Sequence, residues 1–208
     1  MPTFGNAMPK VPKSKQVLDI ARKAGMLRAH ELSKKGIARV YLQRLEERGF
    51  LVREARGLYR VPSAKITENH SLAEVAKRVS HGAVCLLSAL RFYGLTTQAP
   101  SEIWLAIGWK ARAPKKDAQP LRIVRMSGKA LTEGVDQHQI EGVSVKIYNP
   151  AKTVADCFKY RNKVGLDVAL EALRDYKQKY RGGMDELWRH AKICRVERVI
   201  RPYLEALA

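Results

Sequence analysis

Between Ala38 and Pro62 the apolar residues change period twice. In ARVYLQRLEERG, residues 38–49, Tyr41, Leu42 and Leu45 recur at helical spacing and Gly49 stops the run. FLVREARGLYRVP then reads as two short strands around Arg56-Gly57, where glycine permits a positive φ, and Pro62 ends the second strand. A helix feeding straight into a tight hairpin needs other elements to close a core over both. They stand just before it. Ser14 is a candidate N-cap, and Val17, Leu18, Ala21 and Ala24 follow at helical spacing up to Gly25. A shorter helix fits RAHELSKKG and ends at Gly36, and a third runs from about Ile37 to Arg48. Three short helices and a hairpin over residues 14–62 predict a winged helix-turn-helix.

With Leu45 as the inward reference on the third helix, Leu42, Tyr41 and Ala38 share its side. Arg39, Val40, Gln43 and Glu47 face away, with Arg44 on the shoulder. That face suits a recognition helix entering a major groove by its N-terminus. Arginine can bind guanine O6 and N7 together, glutamine can bind adenine N6 and N7, and valine can touch a thymine methyl. Glu46 and Glu47 come late on the helix, where repulsion from phosphate matters less. Arg53, Arg56 and Arg60 on the hairpin, with Lys34 and Lys35, are the expected phosphate contacts. The same arginines also fit the solvated face of a protein-binding module. Composition favours nucleic acid. Lys and Arg number 39 against 20 Asp and Glu, a net charge of +19. Residues 1–62 carry 14 of those basic residues and only 5 of the acidic ones, almost half the excess on less than a third of the chain.

Residues 1–13 are rich in proline and predict a flexible arm. SAKITENHS, after Pro62, is the expected boundary, leaving residues 63–208 as a second domain. SLAEVAKRV and AVCLLSALRFYG read as helices, the latter buried; EIWLAIGW, LRIVRM, VDQHQI and VSVKIYN read as strands. A sheet-containing part thus spans 68–148. From Asn149-Pro150, an N-cap followed by proline at the first helical position, residues 149–208 return to helices, each with one apolar face. The expected class is α+β: a winged helix-turn-helix, then a mixed α/β domain with a small antiparallel or mixed sheet and a C-terminal helical bundle.

A second positive surface is a candidate in this domain. Lys110, Arg112, Lys115, Lys116, Arg122 and Arg125 gather around Trp109, and Lys159, Arg161, Lys163, Arg174 and Lys177 follow in the helices. A nucleic-acid or acidic-protein surface and a plain solvated face fit the first group equally; the helical group fits a plain solvated face better than a surface for toxin, RNA or flanking DNA. No catalytic constellation stands out. The five histidines lack metal-ligand spacing, and Cys85, Cys157 and Cys194 are far apart in apolar contexts, as buried thiols in a reducing compartment would be. Glu141 and Lys146 are five residues apart and fall on opposite strand faces, unlike a nuclease pair. His138 reads as a surface residue. We therefore expect no enzyme, no cofactor, no metal and no membrane span, and a cytoplasmic location.

Three blocks, KKGIARVYLQRLEERGFLVREARGLYRVP, SALRFYGLTT and IEGVSVKIYNPAKTVADCFKYRNKVGLDVALEAL, resemble in order and spacing the AbiEi antitoxins of type IV toxin–antitoxin, abortive-infection systems. The resemblance runs from about residue 14 to the end. It implies a repressor that binds inverted repeats in its own promoter, with Arg39, Gln43 and Arg44 in the recognition helix and Arg53, Arg56 and Arg60 in the wing. It also implies a C-terminal domain that opposes a nucleotidyltransferase-like toxin without a stable complex, in defence against phage. A stand-alone winged-helix regulator, or a basic protein- or RNA-interaction module, would share the same features.

Overall fold

The computed structural model describes residues 11–114 and 119–207. Residues 1–10 of the expected arm, and Lys115 and Lys116, lie outside the described residues. Contacts divide the chain into two units. One reaches to Ile66 and includes Glu141–Val143; the other holds Thr67–Ile140 and the chain from Ser144 onward.

The first unit runs α1 (Lys13–Ala24), β1 (Met26–Arg28), α2 (Ala29–Lys34), α3 (Val40–Glu47), β2 (Val52–Ala55) and β3 (Leu58–Arg60). The strands form one antiparallel sheet in the order β1-β3-β2. Helix α1 begins at Lys13 behind Pro12, so Ser14 is inside it rather than capping it. Strand β1 is an addition to the sequence reading, since three residues between two helices carry no readable period. It pairs Met26, Leu27 and Arg28 with Arg60, Tyr59 and Leu58. The core joins Val17 and Ala21 of α1, Leu27, Leu32, Ile37, Leu42 and Leu45, then Leu51, Tyr59 and Val61 from the hairpin.

One device ends both α2 and α3. Gly36 (φ 65°) and Gly49 (φ 73°) take the left-handed conformation that ordinary residues avoid. Behind α2, Gly36 N–H donates to Ser33 O at 3.2 Å and Ile37 N–H to Leu32 O at 3.0 Å. Behind α3, Gly49 N–H donates to Glu46 O at 2.9 Å and Phe50 N–H to Leu45 O at 2.8 Å. These are Schellman closures, which satisfy helix-end carbonyls and turn the chain sharply. Ile37, buried directly after the first, anchors the turn between α2 and α3.

The second unit begins with α4 (His70–Arg78), β4 (Ala83–Val84), α5 (Leu86–Tyr93), β5 (Ile103–Gly108) and β6 (Leu121–Met126). It continues with α6 (Lys129–Thr132), β7 (Val135–Ile140) and β8 (Val143–Tyr148). Then come α7 (Pro150–Lys159), α8 (Arg161–Val164), α9 (Leu166–Lys179), α10 (Met184–Cys194) and α11 (Glu197–Ala206). Its sheet is mixed, in the order β6-β5-β4-β8-β7. Strand β4 pairs antiparallel with β5 and parallel with β8; β5 and β6 are parallel. AVCLLSALRFYG is therefore not one helix. Its first residues are the central strand, and only Leu86–Tyr93 is helical.

Helix α7 is the axis of this unit. All of Ala151–Phe158 are buried, so the expected single apolar face is in fact the whole circumference. Its start is prepared by sequence: Asn149 Oδ1 accepts from Lys152 N–H at 2.8 Å, and Pro150 occupies a first-turn position needing no donor. Thr153 Oγ1 donates back to Tyr148 O at 2.9 Å. Lys152 and Asp156 are ion-paired one turn apart, both side chains almost without solvent contact. The Lys152 ammonium also lies 4.2 Å from the Tyr148 ring centroid, and Cys194 Sγ donates to Asp156 Oδ1 at 3.1 Å. Burial raises the Asp156 carboxyl above its ordinary range, against the opposing pull of Lys152. The three cysteines are buried and unpaired, and burial pushes the Cys194 thiol up to about 12.

Removing one partner of a buried pair leaves a charge uncompensated. We expect Lys152→Met to cost about 3–5 kcal/mol in urea denaturation at neutral pH. The double variant Lys152→Met with Asp156→Leu should recover most of that loss, because neither charge is then buried.

His190 of α10 is fully buried and its Nδ1 has no hydrogen-bond partner. Burial, with Arg189 and Lys152 nearby, lowers it to about 4. In the unfolded chain an imidazole titrates near 6.5. Between those values the unfolded state binds a proton that the native state refuses, so stability is complete above about pH 6.5 and falls toward pH 4. Urea midpoints taken across that range should decline on acidification, and less steeply in His190→Leu.

Candidate nucleic-acid interface

The outward face of α3 can now be built residue by residue. Leu42 and Leu45 point into the core, which leaves Arg39, Val40, Gln43, Arg44 and Glu47 exposed along the opposite side. The helix starts at Val40, later than the spacing predicts, with Arg39 at its N-cap position. Arg39 and Val40 therefore sit at the very tip, beside the positive end of the helix dipole, where a phosphate or a base edge would be met first. Ala38, expected inward, is exposed, because the Gly36 closure turns the chain before the helix begins.

Two side-chain contacts on this face were not legible from spacing. Arg39 Nε lies 3.4 Å from Ser33 Oγ of α2. Gln43 Nε2 donates to Glu47 Oε1 at 3.0 Å. Glu47, on the outward face as the spacing predicts, thus holds the Gln43 amide. Such i,i+4 pairs are worth only about 0.2–0.5 kcal/mol, so a base can displace the carboxylate. Glu46, by contrast, is half-buried.

The wing follows α3 without a linker. Arg53 lies on β2 and Arg56 in the turn, with Gly57 at φ 73°. The turn is anchored from behind: Ala29 N–H, at the start of α2, donates to Gly57 O at 2.9 Å. Lys34, Lys35, Arg44, Arg53 and Arg56 are exposed, and none has a carboxylate partner among the described residues. Arg60 departs from expectation. It pairs with Glu54 across the hairpin, and its Nη1 donates to Val61 O (3.2 Å) and Pro62 O (3.3 Å) with only 14% of the side chain exposed. Arg60 is a brace of the wing, not a cation held out to phosphate.

The second set of cations divides in the same way. Lys110, Arg112 and Arg174 are exposed without carboxylate partners among the described residues. Lys159 and Lys163 flank the Tyr160 ring, at 6.0 and 5.6 Å from its centroid. Four others are structural, contrary to the sequence reading. Arg122 meets Glu102 at 3.5 Å and covers the Trp104 ring, Arg125 donates to three carbonyls, Arg161 donates to Phe158 O, and Lys177 donates to Leu207 O. His138 is not a plain surface residue either; its Nε2 is 3.0 Å from the Tyr93 hydroxyl.

Residues 15–62 match the sequence model of a family described as "Transcriptional regulator, AbiEi antitoxin". Over that span the front unit is similar to AbiEi antitoxin-type transcriptional regulators. The matched span holds the turn between α2 and α3, the exposed face of α3 and the wing, so the AbiEi-type assignment rests on the elements just described. In fold, the chain is similar to the RV2827C protein from Mycobacterium tuberculosis, with a TM-score of 0.55 at 15% sequence identity over 80% of this chain and 67% of that one. No curated protein sequence matches it.

The contrast between Arg60 and Arg56 is measurable in the AbiEi-type module. Arg60→Ala removes an ion pair and two carbonyl bonds and should cost on the order of 1–3 kcal/mol in chemical denaturation. Arg56→Ala, at the exposed turn, should stay within about 0.5 kcal/mol of the parent.

Proposed function

We propose that the protein is a DNA-binding antitoxin that represses its own promoter, reading inverted repeats with α3 and gripping the backbone with the wing. The observation that carries this is the exposed run Arg39, Val40, Gln43 and Arg44 at the start of α3, beside the unpaired cations Arg53 and Arg56 of the wing. Arg39, Gln43 and Arg44 have the donor geometry for base edges, and Val40 offers a methyl contact. Arg53, Arg56, Lys34 and Lys35 supply charge that fixes register without reading sequence. The family description supports regulator and antitoxin in general terms.

On this reading the second unit opposes a nucleotidyltransferase-like toxin, functionally and without a stable complex, as part of a type IV abortive-infection system against phage. The protein would act in the cytoplasm, on its promoter, with no cofactor and no catalysis of its own. No helix among the described residues is long and apolar enough to cross a membrane.

Gel shifts and fluorescence anisotropy on the protein's own promoter fragment and on scrambled duplex test the division of labour. Arg39→Ala and Gln43→Ala should each lose about 1–3 kcal/mol of discrimination while keeping much of the non-specific affinity. Arg53→Ala and Arg56→Ala should weaken both duplexes alike and flatten the salt dependence. If about six phosphates are neutralised, affinity of the parent should drop roughly a thousandfold between about 50 and about 200 mM salt. Identical behaviour of the two classes of variant would remove the assignment of roles.

A further inference from the structure

The two parallel strands β5 and β6 run in register, Gly108 opposite Met126, and so leave the sheet at the same end. Adjacent strands are about 5 Å apart. Trp109, Lys110 and Arg112 after β5 therefore share that end with Ser127 and Lys129 after β6. Loops at the carboxyl ends of parallel strands are a common place for ligands to bind.

Trp109 is 67% exposed, more than any other large apolar side chain among the described residues. It is also presented on a pinned turn. Arg125 Nη1 donates to the carbonyls of Gly108 (3.3 Å), Trp109 itself (2.6 Å) and Ala111 (2.9 Å), closing the backbone on both sides of the indole. Around it Lys110, Arg112 and Lys129 are exposed and have no carboxylate partner among the described residues. An ordered, solvent-facing indole at a sheet end that also carries Lys110, Arg112 and Lys129 offers a flat apolar face with positive charge on the neighbouring loops.

We propose that this end of the sheet is a docking surface for single-stranded nucleic acid. One unpaired base stacks on the Trp109 indole, and Lys110, Arg112 and Lys129 meet the phosphates beside it. A nucleotide supplies both complements to the site, a planar base to stack on the indole and an adjacent negative phosphate. Duplex DNA does not, because its bases already stack on one another. An acidic peptide matches less well. Bidentate capture of carboxylates needs a free guanidinium fork, and Arg125 has Nη1 engaged by three carbonyls, leaving Arg112 as the one guanidinium of this group with both nitrogens free among the described residues. The pinned turn lowers the ordering cost of binding. These residues belong to the second unit, whereas the face of α3 proposed to read the promoter belongs to the first.

The test uses the full chain, with anisotropy of labelled oligo(dT), oligo(U) and a duplex of equal length, and with tryptophan emission as a second readout. Trp109→Ala should weaken both single strands on the order of tenfold or more and leave the duplex unchanged, while Trp109→Phe keeps most of the affinity. Oligonucleotide should quench the parent's emission and not that of Trp109→Ala, since Trp104 is buried and Trp188 half-buried. Equal losses for DNA and RNA assign the contact to stacking alone; a larger loss for RNA adds a 2′-hydroxyl contact at the same surface. The proposal is overturned if Trp109→Ala, with unchanged circular dichroism, binds both single strands like the parent. It is equally overturned if only binding of poly-glutamate suffers, which would make the surface a protein contact.

Discussion

Lys152 and Asp156 set opposite charges one helical turn apart in a segment buried on every side. The second unit is arranged around this constraint. Two ions removed from water need each other and further partners, since desolvation otherwise exceeds their attraction. Tyr148 gives the ammonium an aromatic face, Cys194 gives the carboxylate a thiol donor, and Asn149 fixes the turn from which Lys152 departs. Those partners come from the end of β8, from α10 and from the cap of α7 itself. A core of aliphatic residues could be repacked in several registers; this one has a single arrangement in which both charges are satisfied. The pair thus selects one packing of α7 against its neighbours, at some cost in net stability.

In the front unit the organising rule concerns cations. Some arginines face solvent without a carboxylate partner among the described residues and others are tied by geometry to the fold, and the two groups differ in what they can do. Arg60 locks the hairpin through Glu54 and two carbonyls, as Arg125 locks the turn below Trp109. Arg44, Arg53 and Arg56 have no carboxylate partner among the described residues. Net charge alone does not distinguish these groups, so a count of basic residues overstates the surface available to a polyanion.

Much of this was legible in the sequence. The period change after Leu45 and the glycines at 36 and 49 define α3 and its neighbours, and Asn149-Pro150 announces α7. The exposed residues of α3 follow from placing Leu42 and Leu45 inward. What was hidden has a common cause. Strands β1 and β4 are three and two residues long, too short to show alternation, and are defined only by the strands that pair with them. The burial of Lys152 and Asp156 was hidden because charge ordinarily marks the solvent side of a helix. The hydrogen bond from Gln43 to Glu47, and the pairing of Arg60 with Glu54, are side-chain choices that residue spacing leaves open.

The order β1-β3-β2 puts the last strand of the front unit in the middle. Everything before Leu58 is an outer layer awaiting a centre, with Met26–Arg28 on one flank and Val52–Ala55 on the other. In a nascent chain this sheet therefore cannot form until Leu58–Arg60 has cleared the ribosome's exit tunnel.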